Sequence, residues 1–145
     1  SQTLSYDISR TSDVEKLSGW NSLNQNESNL TDGTRLYVIL EAPQVSSSVG
    51  KPPQPWKAVA VSRDLPNNLP SNQIPLEGIY KYSAIEYGLE RYYLPEDRVK
   101  DINQEIGQLQ SNSAAKRPFV VEVKVNSQGK AVPASLWIGD RNYRF

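Results

Sequence analysis

The side chains best suited to binding or catalysis are concentrated between Tyr80 and Glu96. Five of the eight tyrosines lie in this segment, among glutamates and arginines. Tyrosine supplies a rigid ring with a polar tip and arginine a planar charged group, so the mixture is typical of a binding surface. Tyrosine is also a common strand residue, and Glu and Arg often form cross-strand pairs, so a purely structural interpretation stays open. The predicted contact residues are Tyr87, Glu90, Arg91, Tyr93 and Glu96.

The composition limits the reactions that this chain can catalyse. It has no Cys and no His, which excludes Cys–His and Ser–His catalysis, zinc fingers and iron–sulfur centres. Carboxylate or Ser–Lys chemistry remains. If Glu86 and Glu90 share a strand face, their separation is about 13 Å, which is too far for a glycosidase pair. We therefore predict no catalytic residue, no metal site and no cofactor, and we keep a hydrolase that uses carboxylates or a Ser–Lys pair as the alternative.

The charge balance also bears on possible partners. Lys plus Arg is 16 and Asp plus Glu is 16, so the formal net charge is zero. A nucleic-acid-binding domain usually has a basic excess, so no nucleic-acid partner is predicted. No apolar run in the sequence approaches the length of a membrane-spanning helix. The 145 residues suit one domain with its own core, which we place at 1–145.

Apolar patterning predicts a mainly β (α+β) fold. Alternating or continuous apolar runs predict strands near 2–10, 36–40, 56–61, 74–83, 85–94, 119–125 and 130–138. The continuous run at 36–40 suits a strand buried on both faces, and residues 126–129 suit a hairpin loop between the last two strands. Residues 11–33 are predicted as a surface loop with at most one helical turn. Gly78 is expected to mark a bulge or a close approach, and Pro133 an edge or a bulge. The economical architecture is an antiparallel β-sandwich or small barrel of about seven strands.

One amphipathic helix is predicted near 95–111. Pro95 followed by two acidic residues suits the start of a helix, because the first position tolerates proline and the positive dipole end favours acids. Apolar residues then recur at helical spacing on one face. We expect the helix to cover one face or edge of the sheet. The residues that define this stripe are Val99, Ile102, Ile106 and Leu109.

Four segments together resemble a known bacterial family, the GDYXXLXY proteins. The most specific is Tyr87–Glu96, which reads Y-G-L-E-R-Y-Y-L-P-E, and the supporting ones are Leu4–Tyr6, Tyr37–Glu41 and Trp56–Ser62. Members are uncharacterised and membrane-anchored, so the resemblance implies a soluble, periplasmic (extracytoplasmic) domain behind an N-terminal transmembrane helix. Leu4 and Tyr6 would be the last two letters of the naming motif. The domain is therefore expected to be truncated at its N-terminus, inside that motif.

The resemblance implies a location and a class of partner. Family members are often encoded beside, or fused to, a polytopic membrane protein, which makes such a protein the expected partner. Our leading hypothesis is a non-enzymatic module that binds a membrane or envelope component through Tyr87–Glu96. The alternatives are the hydrolase named above and a purely structural domain that positions its membrane helix.

Overall fold

The computed structural model describes residues 2–3, 6–23, 30–44, 50–92 and 119–145. Its helices are short: a 3₁₀ helix at Asp7–Ser9, α1 at Thr11–Val14 and α2 at Trp20–Leu23. Nine strands make up the rest of the regular structure of these residues. They are β1 (Gln2–Thr3), β2 (Arg35–Glu41), β3 (Lys57–Ser62), β4 (Gln73–Lys81), β5 (Ala84–Glu86), β6 (Arg91–Tyr92), β7 (Phe119–Val125), β8 (Ala131–Ile138) and β9 (Arg141–Arg144).

The strands form two main antiparallel sheets and one short ribbon. The larger sheet has the order β3-β2-β4-β5, the smaller one has the order β7-β8-β9, and β1 pairs with β6. The prediction of a mainly β, antiparallel fold with about seven strands is confirmed by the two main sheets. Within the described residues the sheets do not close into a barrel. The helix predicted near 95–111 lies outside the described residues.

Strand β2 is the centre of the larger sheet. It pairs with β3 on one side and with β4 on the other. Because successive side chains point to opposite faces of a strand, Leu36 and Val38 face one way and Tyr37 and Ile39 the other. All four are buried. This confirms the prediction of a strand covered on both faces.

Two apolar clusters stabilise the domain, and Tyr6 packs against both of them. The larger cluster lies on the Leu36–Val38 side of the first sheet and includes the buried Val14 and Leu23 of α1 and α2. The smaller one consists of Leu136, Ile138 and Tyr143. The loop between β7 and β8 also reaches the first sheet, where the Glu77 N–H donates to the Gly129 carbonyl at 2.8 Å. Tyr6 and this backbone bond therefore connect the two sheets.

The irregularities predicted at Gly78 and Pro133 are both found in the structure. Gly78 pairs with Leu36 in unbroken register, and a Cβ built there would lie 2.6 Å from Cγ2 of Ile85 and 3.0 Å from Cε1 of Tyr87. It therefore marks a close approach and not a bulge. Pro133 lies opposite Val123, where the β7–β8 register shifts. The shift explains how a proline fits in a central strand.

The strand predicted at 2–10 is wrong beyond its first residues. The backbone N–H of Tyr6 donates to Oγ of Ser9 at 3.1 Å, and the chain turns into the 3₁₀ helix and then α1. A local side-chain-to-backbone bond of this kind competes with strand pairing. Residues 11–23 are likewise more structured than a surface loop, because α1 and α2 each bury a core residue. Among the described residues, no helix combines the length and apolarity that crossing a bilayer requires.

Candidate functional site

The continuous strand predicted at 85–94 is interrupted by a loop at Tyr87–Glu90. The Glu90 carboxylate causes the interruption, because it folds back onto the backbone of its own loop. Its Oε1 accepts the N–H groups of Tyr87, Gly88 and Leu89 at 3.1, 2.9 and 3.1 Å, and its Oε2 accepts that of Tyr87 at 3.0 Å. Gly88 has a φ of 78°, a conformation that glycine adopts without strain. Three successive amides thus surround one carboxylate, as in an anion-binding nest.

Tyr87 points from this loop into the domain. Its side chain is only 6% exposed, and its hydroxyl donates to the Ile8 carbonyl at 2.5 Å. Burial raises the pKa of the Tyr87 phenol well above its ordinary value, and the negative charge of Glu90 raises it further. Tyr87 is therefore a neutral hydrogen-bond donor at physiological pH, and its ring belongs to the larger apolar cluster.

Tyr6 makes the reciprocal contact. Its hydroxyl donates to the Leu89 carbonyl. Each tyrosine therefore donates to the carbonyl of the residue two positions after the other tyrosine. The two loops are thereby joined in both directions. Because a buried carbonyl without a donor costs free energy, the two hydroxyls replace backbone ladder bonds where the 3₁₀ helix prevents strand pairing.

These contacts belong to one longer association, which we call the N-terminal clasp: residues 2–3 and 6–11 lie antiparallel to residues 83–92. At one end β1 pairs with β6. At the other end Arg10 forms a bridge with Ala84, and Oγ1 of Thr11 donates to the Ser83 carbonyl at 3.1 Å. The pairs at the two ends have the same antiparallel register. The clasp therefore joins Tyr6 and the start of the Tyr87–Glu96 segment, which belong to two of the four segments that carry the family resemblance.

The predicted contact residues are distributed differently from a flat binding surface. Tyr87 is buried, and Glu90 is half-buried with its carboxylate engaged by its own loop. Arg91 pairs through its backbone with Thr3 in the clasp, and its side chain lies outside the described part. Tyr93 and Glu96 also lie outside the described residues. Their role in binding stays a prediction.

The described part of the chain brings no catalytic set together. Glu86 is exposed on β5 whereas Glu90 lies in the loop, so the strand-face spacing expected for this pair does not apply. In the same ranges no Ser and Lys side chains are hydrogen-bonded to each other, and acidic side chains do not gather in a group of three suited to a metal ion. The buried Tyr87 hydroxyl is occupied by the Ile8 carbonyl.

A second feature, missed by the sequence analysis, is the turn between β4 and β5. Its two central residues, Tyr82 and Ser83, both have positive φ, at 51° and 62°. Two such residues define a type I′ turn, which normally carries Asn and Gly. Tyr82 is 79% exposed. The apolar alternation at 74–83 and 85–94 predicted two successive strands, and no residue-type signal indicated this turn.

A groove of about 460 Å³ lies near this turn. It is lined by three residues with apolar side-chain surface (Tyr37, Leu65 and Ile79), three charged residues (Arg35, Arg63 and Asp64), and Gly33 and Thr34. Arg35 lies 3.9 Å from a Glu77 carboxylate oxygen, a long contact for an ion pair. The sequence analysis did not select these arginines, because they come together only across the β2–β3 pair.

Comparisons with known proteins identify a family and nothing finer. The family model described as GDYXXLXY protein matches residues 1–136. No curated protein and no solved structure matches the chain.

Proposed function

The chain belongs to the GDYXXLXY family, and we propose that it is the extracytoplasmic, non-enzymatic domain of a membrane-anchored bacterial protein that binds another membrane or envelope component. The observation that carries this proposal is the N-terminal clasp. Tyr6 and the start of the Tyr87–Glu96 segment, which belong to two of the segments that carry the family resemblance, fix the start of the chain along the domain.

The clasp suits a domain that is held by an anchor on its N-terminal side. A segment preceding β1 would enter the domain at the Gln2–Tyr92 pair, and any pull on it would be resisted along the whole antiparallel association. The hydrogen bonds of the two tyrosine hydroxyls and of the β1–β6 ladder would together resist that force. Such a firm attachment fixes the orientation of the domain relative to its anchor, which a module that meets a membrane partner needs.

The Glu90 loop supports binding over catalysis. A general acid or base must have a lone pair or proton available to the substrate. Glu90 is the carboxylate of the predicted set whose surroundings are described, and its oxygens accept four hydrogen bonds from the loop backbone. The carboxylate therefore shapes the loop and is not available to a substrate. The hydrolase alternative gains no support from the described residues.

The test is co-purification with the expected partner. The full-length protein, tagged at its C-terminus, would be co-expressed with the polytopic membrane protein encoded beside it and extracted in mild detergent. We expect the polytopic protein to be retained with the tag. An unrelated polytopic protein expressed at the same level is the control. If both proteins reach the membrane but the expected partner is not retained above that control, the proposal is wrong.

A second candidate function, a purely structural domain that positions its membrane helix, is favoured by the burial of Tyr87 and by the bonding of the Glu90 carboxylate to its own loop. It shares the clasp but requires no partner. It predicts that substitutions of exposed side chains leave the biological role of the full-length protein unchanged, whereas loosening the clasp abolishes it. Comparing an exposed-residue variant with Tyr87→Phe in a strain lacking the gene distinguishes the two functions.

A further inference from the structure

The β4–β5 turn combines backbone strain with an exposed aromatic ring. Residues other than glycine and asparagine rarely adopt positive φ, and Tyr82 and Ser83 both do so. The Tyr82 ring is one of the few large apolar side chains left exposed among the described residues. It therefore adds little to the core while its backbone carries a cost. Such strain is kept where the surrounding structure enforces it, typically at functional positions.

Neighbouring segments hold this turn on both sides. The Tyr82 N–H donates to Oδ1 of Asp32 at 3.0 Å, and the Ser83 carbonyl accepts from Oγ1 of Thr11 at 3.1 Å. The first bond comes from the loop before β2 and the second from the clasp. The Tyr82–Ser83 turn, which we call the tip, is thus a preorganised projection. A rigid aromatic side chain held on it loses little entropy when it is bound.

The groove lies directly beside the turn. Gly33 and Thr34, which follow the bracing Asp32, line the groove and bond the backbone of Tyr80 at 2.7 and 2.8 Å. The groove therefore starts next to the tip. Arg63 lines the groove and has no hydrogen-bond or ion-pair partner in the described part of the chain. An exposed tyrosine beside arginines is the composition found at the energetic centres of protein interfaces.

We propose that Tyr82 and the Arg35–Arg63 groove form one docking surface for a protein partner that offers an apolar recess for the phenol ring and a carboxylate for the Arg63 guanidinium. This inference rests on the proposed function, since it identifies the surface used by the same module.

The charges around the tip favour a protein over a bilayer as the occupant. They are mixed, because Asp32 and Asp64 accompany Lys81, Arg35 and Arg63. A surface made for anionic lipid would instead show a clear excess of Lys and Arg.

The experiment uses the co-purification assay with Tyr82→Ala and Arg63→Gln in the full-length protein. Each variant is expected to reduce the retained polytopic partner at least tenfold, the loss typical of an interface hot spot. Trp56→Ala is the matched control. Trp56 is another exposed aromatic residue, 41% exposed, at the opposite end of β3 from Arg63, and its loss should leave retention unchanged.

A strain-relieving variant separates docking from folding. Replacing the turn by Asn and Gly (Tyr82→Asn with Ser83→Gly) should raise the melting temperature by a few degrees, because these residues adopt positive φ readily, yet it should abolish retention. Full retention by this variant, or by Tyr82→Ala, overturns the docking surface while the proposed function stands. Failure of the unmodified protein to retain the partner overturns the proposed function and the surface with it. Binding to phosphatidylglycerol vesicles that Tyr82→Ala removes would overturn the protein partner in favour of lipid.

Discussion

Tyr6 and Tyr87 each donate a hydroxyl hydrogen bond to the backbone carbonyl two residues beyond the other, Tyr6 to Leu89 and Tyr87 to Ile8. This reciprocal pair lies at the centre of the clasp, with the β1–β6 ladder on one side and the Arg10–Ala84 bridge on the other. It joins parts of two segments that lie far apart in sequence and that both contribute to the family resemblance. They form a single structural unit.

The reciprocal pair should be energetically coupled. Tyr6→Phe and Tyr87→Phe each leave a carbonyl without its donor, so each should lower the free energy of unfolding by about 1–3 kcal/mol. Because both bonds close the same association, the double variant should lose less than the sum of the single losses. Urea unfolding of the two single variants and the double variant measures this. Strict additivity would show that the two bonds act independently.

The buried Tyr87 phenol should make the domain sensitive to alkali. Its pKa is raised on folding, so at high pH the unfolded chain releases this proton while the folded chain keeps it. Stability is therefore constant, as far as this group is concerned, below the ordinary tyrosine pKa of about 10 and falls above it, by up to about 1.4 kcal/mol per pH unit. Denaturation measured from pH 8 to 11 should show a shallower decline for Tyr87→Phe. Equal slopes in the two proteins would contradict the assignment.

The Glu90 nest predicts a graded response to substitution. Glu90→Ala removes the acceptor of three backbone N–H groups and should cost about 2–3 kcal/mol, whereas Glu90→Gln keeps one acceptor oxygen and should cost about 1 kcal/mol. The matched control is Glu86→Gln, an exposed site on the preceding strand, where the change should stay within about 0.5 kcal/mol. Thermal or urea unfolding compares the three variants. An Ala variant as stable as the unmodified protein would show that the loop forms without the carboxylate.

Gly78 tests the packing beneath the clasp. A methyl group there would lie 2.6 Å from Cγ2 of Ile85 and 3.0 Å from the Tyr87 ring, so Gly78→Ala should overpack the core and cost about 1–3 kcal/mol. Gly33→Ala is the comparison, because its φ of 92° brings backbone strain but no atom lies within 4 Å of the new Cβ. Only Gly78→Ala should alter the near-ultraviolet signal of Tyr87 and its neighbours. An unchanged signal with an unchanged melting temperature would contradict the close approach.

Local patterning determined much of the fold. The continuous apolar run 36–40 predicted a strand buried on both faces, and β2 is one, because burial on both faces requires apolar residues at every position. Alternation predicted β7, and the turn-forming residues 126–129 predicted its hairpin with β8. The close approach at Gly78 and the register shift at Pro133 could also be predicted from the residue type alone, since a missing side chain and a missing N–H have direct geometric effects. The last strand, β9, was not predicted.

The tertiary structure alone decided what the chemically promising residues do. Period-two alternation at Leu4, Tyr6 and Ile8 and again at Tyr87 and Leu89 predicted strands, and both segments instead leave the ladder where they meet. Their hydrogen bonds connect residues about eighty positions apart, and no local pattern records such a partner. The sequence by itself determined a β-rich chain without His or Cys and with a tyrosine- and glutamate-rich segment. Only the folded chain buries Tyr87, bonds Glu90 to its own loop and leaves Tyr82 exposed, because burial and long-range bonding are set by what the rest of the chain places around each residue.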